Sequence, residues 1–185
     1  MEKKIRPLYD QYGADGYYRQ FSEEYENPHF PEIKALLLQN LYRLDCSSGV
    51  LDFSAGGGEV SMVLQEAGIQ GISGSDPFTH QLYSRQTGLP CMELSFRDVI
   101  RNGLPGRYSV VISSFALHLC PEKELFPLTW NLLQAAPLLV LITPHKRPEL
   151  EKLAGITLLW EDFVETARGK KVRMKAYGME TKNAE

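Results

Sequence analysis

The chain has 185 residues, of which 43% are hydrophobic and 23% are charged, so we expect one compact domain with a substantial core. A formal net charge of -3 excludes a general electrostatic attraction to nucleic acid or to anionic lipid. The three cysteines are widely spaced and form no C-x-x-C pair, and no apolar stretch is long enough to span a membrane. We therefore expect a cytoplasmic protein with no metal site and no membrane partner.

The N-terminal part of the chain changes character near residue 30. Residues 1–30 are polar and rich in tyrosine, and Gly13 and Gly16 interrupt any periodic pattern. From Ile33 onward hydrophobic residues recur at helical spacing, and Pro31 suits the first turn of a helix. This pattern predicts an arm followed by a helix.

Strands and helices then alternate along the chain. The run Val110-Val111-Ile112 is typical of a parallel strand that is covered on both faces, and Gly68 suits the end of a helix. We predict strands at 49–53, 71–76, 89–94, 108–114 and 138–142, and helices that begin near 59, 78 and 121.

The last forty residues have a different pattern. Ile156–Val164 and Lys171–Met179 are two strand candidates joined by a turn that contains Gly169. In the second strand Lys171, Arg173 and Lys175 alternate with apolar residues, which indicates one solvated face. Alternating βα units followed by such a hairpin predict a doubly wound α/β sheet with an antiparallel edge region.

We expect the chain to divide into three segments. Residues 1–45 form the arm and first helix, which act as a lid on the same domain. Residues 46–180 form the α/β domain itself, and 181–185 are a tail. This division rests on the change of composition near residue 30 and on the order of the predicted strands.

A glycine turn follows the first predicted strand. The segment Ser54-Ala55-Gly56-Gly57-Gly58 lies where doubly wound sheets bind ligands, because glycines let the backbone approach a ligand closely. Asp76 ends the second predicted strand, where a carboxylate can accept hydrogen bonds from both hydroxyls of a ribose. The turn and the acid together predict a nucleoside site.

The turn also discriminates between nucleoside cofactors. A dinucleotide fingerprint reads G-x-G-x-x-G, and the last glycine of that pattern is missing here. Glu59 stands where a pyrophosphate would meet the helix start, so the site suits a cofactor with positive charge and no phosphate. A nicotinamide-dependent oxidoreductase is therefore disfavoured.

The sequence resembles the class I S-adenosylmethionine-dependent methyltransferases over about Val50 to Met179. Val50–Gly58 resembles the first family motif, Gly74–Asp76 the second, Phe96–Asp98 the third and Tyr108–His118 the fourth, in the family's order. The resemblance implies a mostly parallel, seven-stranded sheet in a three-layer α/β/α arrangement, with an antiparallel C-terminal hairpin. It also implies S-adenosylmethionine as the cofactor.

The resemblance assigns roles to individual residues. Asp52 would support the turn and the methionine end of the cofactor, Asp76 would bind the ribose, Pro77 would lie beside the adenine and Asp98 would accept from the adenine amino group. The implied cofactor-binding residues are Asp52, Ser54, Ala55, Gly56, Gly58, Asp76, Pro77, Asp98 and Ser113.

Three features depart from the family pattern. Ser54 replaces the family's first glycine, and Ser109 replaces an acid at the start of the fourth motif. The signature Asn/Asp-Pro-Pro-Tyr/Phe is absent after the fourth strand, which disfavours an amino-group acceptor in a nucleic acid or glutamine side chain.

Residues on the acceptor side are less well defined. His118 and His145 are the candidate catalytic residues, although His118 also suits a packing role and His145 a solvated turn. One of Tyr17, Tyr18 and Tyr25 is a candidate to cover the cofactor's sulfonium by cation–π attraction.

The basic run Arg168–Lys175 has two interpretations. It could contact RNA phosphate, or it could guard an exposed edge strand against aggregation, and we favour the guard. The leading hypothesis for the chain is methyl transfer by in-line displacement to an unidentified small molecule, protein or RNA. The alternative is a non-catalytic subunit or regulator of a methyltransferase complex, which would bind the cofactor and a protein partner.

Overall fold

The computed structural model describes residues 27–181. They form one seven-stranded sheet with the strand order β3-β2-β1-β4-β5-β7-β6. The strands are β1 (Val50–Phe53), β2 (Ile72–Ser75), β3 (Cys91–Met92), β4 (Val110–Ser114), β5 (Leu138–Thr143), β6 (Ile156–Glu165) and β7 (Lys171–Met179).

Helices connect the strands on both faces of the sheet. Short 3₁₀ turns lie at Leu41–Arg43, Leu117–Leu119 and Leu150–Lys152. Among the described residues no helix is both long and apolar enough to cross a membrane. The α-helices are α1 (Phe30–Asn40), α2 (Glu59–Glu66), α3 (His80–Thr87), α4 (Phe96–Asn102) and α5 (Glu122–Ala135).

The sheet is doubly wound around β1. This strand pairs in parallel with β2 on one side and with β4 on the other, so the direction in which strands are added reverses between β1 and β4. Strands β4 and β5 are also parallel, whereas β7 is antiparallel to both β5 and β6. The predicted fold, including the antiparallel C-terminal hairpin, is confirmed.

Successive residues of the central strands face opposite hydrophobic clusters. Val50 and Ile112 pack against α1 and α2, whereas Leu51 and Val111 pack against α4 and α5. All four are fully buried. Helices cover both faces of the sheet, so the side chains on both faces of a central strand are apolar. This explains the continuous hydrophobic runs in the sequence.

Helix α3 and strand β3 are shorter than predicted. The carboxylate of Asp76 accepts hydrogen bonds from the backbone N–H groups of Phe78 and Thr79, at 2.8 and 2.9 Å, so the chain turns there and the helix begins at His80. Strand β3 has only two residues.

Helix α4 was not predicted as an element. Its first turn has a complete capping box, in which the Ser95 side chain accepts from the backbone of Asp98 and the Asp98 side chain accepts from the backbone of Ser95. Such a box satisfies donors that would otherwise be unpaired at the helix start. The spacing Ser95-x-x-Asp98 was the signal that predicts this helix.

The interpretation of β7 as a half-solvated edge strand is wrong. Strand β7 lies between β5 and β6, and its Lys175 is only 5% exposed. The other two cations contact the neighbouring strand, since the Lys171 amine lies 4.1 Å from the ring centroid of Phe163 and Arg173 pairs with Glu161 at 3.3 Å.

The edge strand at this end of the sheet is therefore β6. Its sequence contains no lysine or arginine. The side chain of Asp162 accepts from the backbone N–H of Phe163 at 2.8 Å, and a register shift lies between Leu158 and Trp160. A bulge hinders the pairing of an edge strand with another strand.

A first prediction concerns Gly74 in β2. An added Cβ would lie 2.6 Å from Cζ of Tyr83, a fully buried ring whose hydroxyl is held 2.7 Å from that of Ser61. We expect Gly74→Ala to lower the free energy of unfolding by about 1–3 kcal/mol, because the ring cannot move aside. Urea unfolding followed by circular dichroism measures this loss.

The matched control is Gly178→Ala in β7. Its Cβ would meet the end of the Leu159 side chain at 3.2 Å, and Leu159 is 52% exposed and able to shift. We expect a change below about 0.5 kcal/mol. Equal losses in the two variants would contradict the packing account.

Candidate functional site

The glycine turn and Asp76 meet at the carboxyl edge of the sheet. The backbone N–H of Gly56 donates to Oδ2 of Asp76 at 3.1 Å. Oδ1 of the same carboxylate accepts from Phe78 and Thr79. Asp76 therefore joins the ends of β1 and β2. Its side chain is largely buried, with 8% exposed.

Ser54 adopts a left-handed backbone conformation, with φ of 55°. A side chain disfavours this conformation by about 1–2 kcal/mol, which explains why glycine suits the position. The backbone N–H of the next residue, Ala55, donates to the carbonyl of Ser75 at 3.0 Å, so the turn remains aligned with β2. The turn thus accommodates Ser54 with backbone strain.

Gly58 is required by both conformation and packing. It precedes α2 with φ of 93°, and an added Cβ would lie 2.6 Å from Cγ2 of Thr87. Its backbone N–H donates to the carbonyl of Ala55 at 2.9 Å, which closes the turn. The absence of a side chain therefore lets α2 begin directly against α3.

Asp52 lies beneath the turn and is fully buried. Its Oδ2 accepts from the backbone N–H and the hydroxyl of Ser61, at 3.2 and 2.7 Å. The Ser61 hydroxyl also lies 2.7 Å from that of Tyr83, so three side chains form a buried chain. Oδ1 of Asp52 has no hydrogen-bond partner among the described residues.

The pKa of Asp52 is raised from its ordinary value of 3.8 to about 8, and the main cause is burial, which disfavours the charged form. The negative charges of Glu59 and Asp76 contribute to the rise, whereas the hydrogen bonds from Ser61 oppose it. Three acids therefore surround the turn, and two of them disfavour the ionised form of the third. Such a place favours a ligand with positive charge.

Asp98 lies at the start of α4 and is partly exposed. Its Oδ2 accepts from the backbone N–H and the hydroxyl of Ser95, both at 2.8 Å, and these bonds lower the pKa of Asp98. The structure thus gives Asp98 the capping role that is common for an acid after a strand.

Two further predicted residues flank the same edge. Ser113, near the end of β4, is 2% exposed, and its hydroxyl has no partner among residues 27–181. Pro77 follows Asp76 and is partly exposed. The tyrosines Tyr17, Tyr18 and Tyr25 lie outside the described residues.

The loops after β4 and β5 bring the two candidate histidines together. The ring centroids of His118 and His145 are 5.0 Å apart, with the planes inclined at 58°. Crowding by surrounding protein atoms and the neighbouring His145 lower the pKa of His118 to about 4, although its side chain still reaches solvent. His118 is therefore neutral at physiological pH.

A third histidine at this edge was missed by the sequence analysis. His29, at the start of α1, stacks on Phe115 with ring centroids 5.0 Å apart, and Phe115 has φ of 55° immediately after β4. Ser61 and Tyr83 were also missed. A serine among the apolar positions of α2 was the signal for Ser61, whereas nothing local indicated His29 or Tyr83.

The strain at Ser54 leads to a prediction. Replacement by glycine removes the disfavoured contact of the side chain and adds flexibility to the unfolded chain, so Ser54→Gly should stabilise the protein by about 0.5–1 kcal/mol. The β-branched replacement Ser54→Val should destabilise it. Thermal unfolding of both variants checks the opposite signs, and a destabilised glycine variant would contradict the assignment of strain.

A second prediction follows from the raised pKa of Asp52. In the unfolded chain this carboxyl ionises near its ordinary pKa of 3.8, but in the folded protein it ionises near 8. Folding must therefore take up a proton between these values, so the contribution of Asp52 to stability falls as pH rises through this window. Asp52→Asn removes the titration, and its free energy of unfolding relative to wild type should rise by about 1 kcal/mol or more from about pH 5 to about pH 8.

Urea unfolding of both proteins at the two pH values measures this difference. The control is Asp45→Asn, because hydrogen bonds to Ser47 lower rather than raise the pKa of Asp45. This variant should show no gain with rising pH. A constant gap between Asp52→Asn and wild type would mean that Asp52 is ionised throughout.

Comparison with known proteins gives one relative in sequence. No protein-family model matches the chain. The uncharacterized protein C17A5.05c of Schizosaccharomyces pombe is 32% identical over 183 residues, with 75% of this chain and 74% of that protein covered.

Solved structures share the fold at much lower identity. The magnesium protoporphyrin IX methyltransferase ChlM from Synechocystis, with bound SAH, is 16% identical with a TM-score of 0.68 and coverage of 96% of this chain and 100% of that chain. A TehB-like SAM-dependent methyltransferase from Corynebacterium glutamicum is 13% identical with a TM-score of 0.62 and coverage of 94% and 100%. The chain therefore belongs to the family of the S. pombe protein C17A5.05c and has the fold of the class I S-adenosylmethionine-dependent methyltransferases.

Proposed function

We propose that the chain is an enzyme that binds S-adenosylmethionine at the carboxyl edge of the sheet, in the crevice between β1 and β4, and transfers its methyl group to an acceptor. The observation that carries the proposal is the contact between Gly56 and Asp76, which brings the glycine turn and the expected ribose-binding acid into one site. Solved structures of the same fold include a methyltransferase with bound SAM.

The residues around the crevice fit this cofactor. The strand order reverses between β1 and β4, which is where doubly wound sheets bind ligands. Oδ1 of Asp52 and the hydroxyl of Ser113 are buried polar atoms without a partner among the described residues, and both lie near the carboxyl ends of these two strands. Buried polar groups are normally hydrogen-bonded, so a polar ligand at this edge accounts for them.

Asp76 and Asp98 would bind different parts of the cofactor. Oδ1 of Asp76 already accepts from two backbone N–H groups, but Oδ2 accepts only from Gly56 among the described residues. A carboxylate oxygen has two lone pairs, so Oδ2 can accept one ribose hydroxyl. Asp98 would reach the adenine through its second oxygen, since both of its bonds to Ser95 use Oδ2.

The charge of the site suits the reacting end of the cofactor. When bound, S-adenosylmethionine supplies an electrophilic methyl group on a positively charged sulfur. Burial, and to a lesser extent the negative charges of Glu59 and Asp76, disfavour the anion of Asp52, and a nearby cation would offset this. The chain's contribution to the reaction is to hold the acceptor, the methyl carbon and the sulfur in line and to exclude water.

The acceptor class remains a small molecule, a protein or RNA. The hairpin offers little support for an RNA acceptor, because Lys175 is buried and Arg173 pairs with Glu161. Two of the basic side chains of Arg168–Lys175 are therefore engaged within the domain, which weakens the RNA interpretation of this run.

We expect isothermal titration calorimetry to detect S-adenosylmethionine binding to the purified chain, and Asp76→Ala to weaken it by about tenfold or more, since a charge-assisted hydrogen bond of about 1.5–3 kcal/mol is lost. Asp76→Asn retains an oxygen acceptor and should have a smaller effect. Far-UV circular dichroism checks that each variant is folded.

The control acid is Glu66, the last residue of α2, which pairs with Lys34 of α1. Glu66→Ala should bind the cofactor as wild type does. The proposal fails if the wild-type chain gives no heat with S-adenosylmethionine, or if NADH binds in its place.

A further inference from the structure

Helix α5 carries two aromatic side chains on its outer face. Phe126 and Trp130 lie one turn apart, are 41% and 40% exposed, and have ring centroids 5.9 Å apart. Together with Pro127 and Asn131 they line one shallow depression. A single exposed hydrophobic residue is ordinary on a protein surface, but two aromatic rings in contact around a depression form a patch of the kind that binds another protein.

The other strongly exposed aromatic residues in the described part of the chain are covered by cations. The guanidinium of Arg43 lies 5.3 Å from the ring centroid of Tyr42, and the amine of Lys171 lies over the ring of Phe163. Within residues 27–181 no cation lies over the two rings of α5, which contact only each other. This patch is therefore the aromatic surface that the described chain leaves uncovered.

The depression continues along α5 toward the C-terminal end of the helix. Asn131 also lines a second depression, between residues of the loop 103–107 and the last turn of α5. The side-chain amide of Asn131 donates to the carbonyls of Val99 and Ile100 in α4, at 3.0 and 3.1 Å, and so holds the junction of the two depressions in place. We call the two depressions together the α5 groove.

Residues of opposite charge stand at the two ends of the α5 groove. Glu122 is the first residue of α5, and Arg107 lines the groove beside the last turn of the helix. Both residues are exposed, and within residues 27–181 neither forms a salt bridge. The surface is thus aromatic in the middle, acidic at one end and basic at the other. Such a surface is complementary to a second copy of itself that is related by a two-fold axis.

We propose that two copies of the chain associate through the α5 groove, with their α5 helices antiparallel and a two-fold axis at the level of Leu128. Phe126 and Trp130 lie two residues before and after this level. The axis therefore places Phe126 of each copy against Trp130 of the other. These rings form the centre of the interface, where tryptophan and other large side chains contribute most of the binding energy.

The same axis brings the opposite charges together. Glu122 and Gln134 lie six residues before and after Leu128, about 9 Å along the helix in each direction. Glu122 of each copy is therefore opposite Gln134 of the other, and Arg107 lines the groove beside that glutamine. The arrangement gives two equivalent contacts between Glu122 and Arg107 at the rim, where charge pairs set the register and disfavour wrong partners.

The α5 groove is separate from the cofactor crevice. Helix α5 turns Leu128 and Leu132 toward the core, and the groove lies on the opposite side of the helix, whereas the glycine turn lies at the carboxyl edge of the sheet. The inference therefore does not depend on the proposed function. One helix face and a flanking loop form a small interface, so we expect a reversible dimer.

Sedimentation velocity of the purified full chain tests the proposal. Wild type should pass from monomer to dimer between about 1 and about 200 µM. Trp130→Ser removes a central ring from each copy and should weaken association by about 30-fold or more. Phe163→Ser is the control, because Phe163 is a similarly exposed ring on β6, outside the groove, and its loss should leave association unchanged. Circular dichroism checks that each variant is folded.

Charge reversal tests the antiparallel arrangement. Glu122→Arg places two arginines in each rim contact and Arg107→Glu places two glutamates there, so each variant alone should associate about tenfold or more weakly than wild type. An equimolar mixture of the two variants should restore association, because every rim contact then joins an arginine to a glutamate.

Each outcome decides the inference. A concentration-dependent dimer that is weakened by Trp130→Ser but not by Phe163→Ser supports it, as does restored association in the mixture. A wild-type chain that is monomeric at about 200 µM overturns it. Equal weakening by the two serine variants places the interface elsewhere, and a mixture that stays monomeric contradicts the antiparallel pairing, so either of these results also overturns it.

Discussion

The hydrogen bond from the backbone of Gly56 to the carboxylate of Asp76 joins the two strand ends on which the site depends. Asp76 also accepts from Phe78 and Thr79, so one side chain positions the glycine turn and sets the start of α3. A buried carboxylate with three backbone donors holds its neighbours in a single arrangement, because each unsatisfied donor would be unfavourable. The turn is thus held in place before any ligand binds.

A second network supports the turn from the interior of the protein. Asp52 accepts from Ser61, and Tyr83 lies within hydrogen-bond distance of the same serine while its ring packs against Gly58 and Gly74. The arrangement keeps an acid in a place where burial disfavours its charge. The protein retains this unfavourable feature at the position where a cationic ligand would relieve it, and strained or poorly satisfied groups tend to cluster at functional sites.

The carboxyl edge also separates two tasks. The ends of β1 and β2 carry acids and a close-packed glycine turn, whereas the loops after β4 and β5 carry His118, His145 and Phe115. In the proposed function the first group recognises a cationic nucleoside and the second lies on the acceptor side. Both groups lie at one edge because these four strands run parallel, so their loops meet on the same side of the sheet.

The amino-acid sequence by itself determined the order of the strands and of the helices other than α4, the glycine turn, the acid at the end of β2 and the antiparallel hairpin. These features depend on hydrophobic period and turn chemistry, which act over a few neighbouring residues. Only the tertiary structure decided that β7 is an inner strand with Lys175 buried, that Tyr83 packs beneath the turn and that His118 meets His145. Each of these depends on which distant segments the strand order makes neighbours, and no local pattern carries that information.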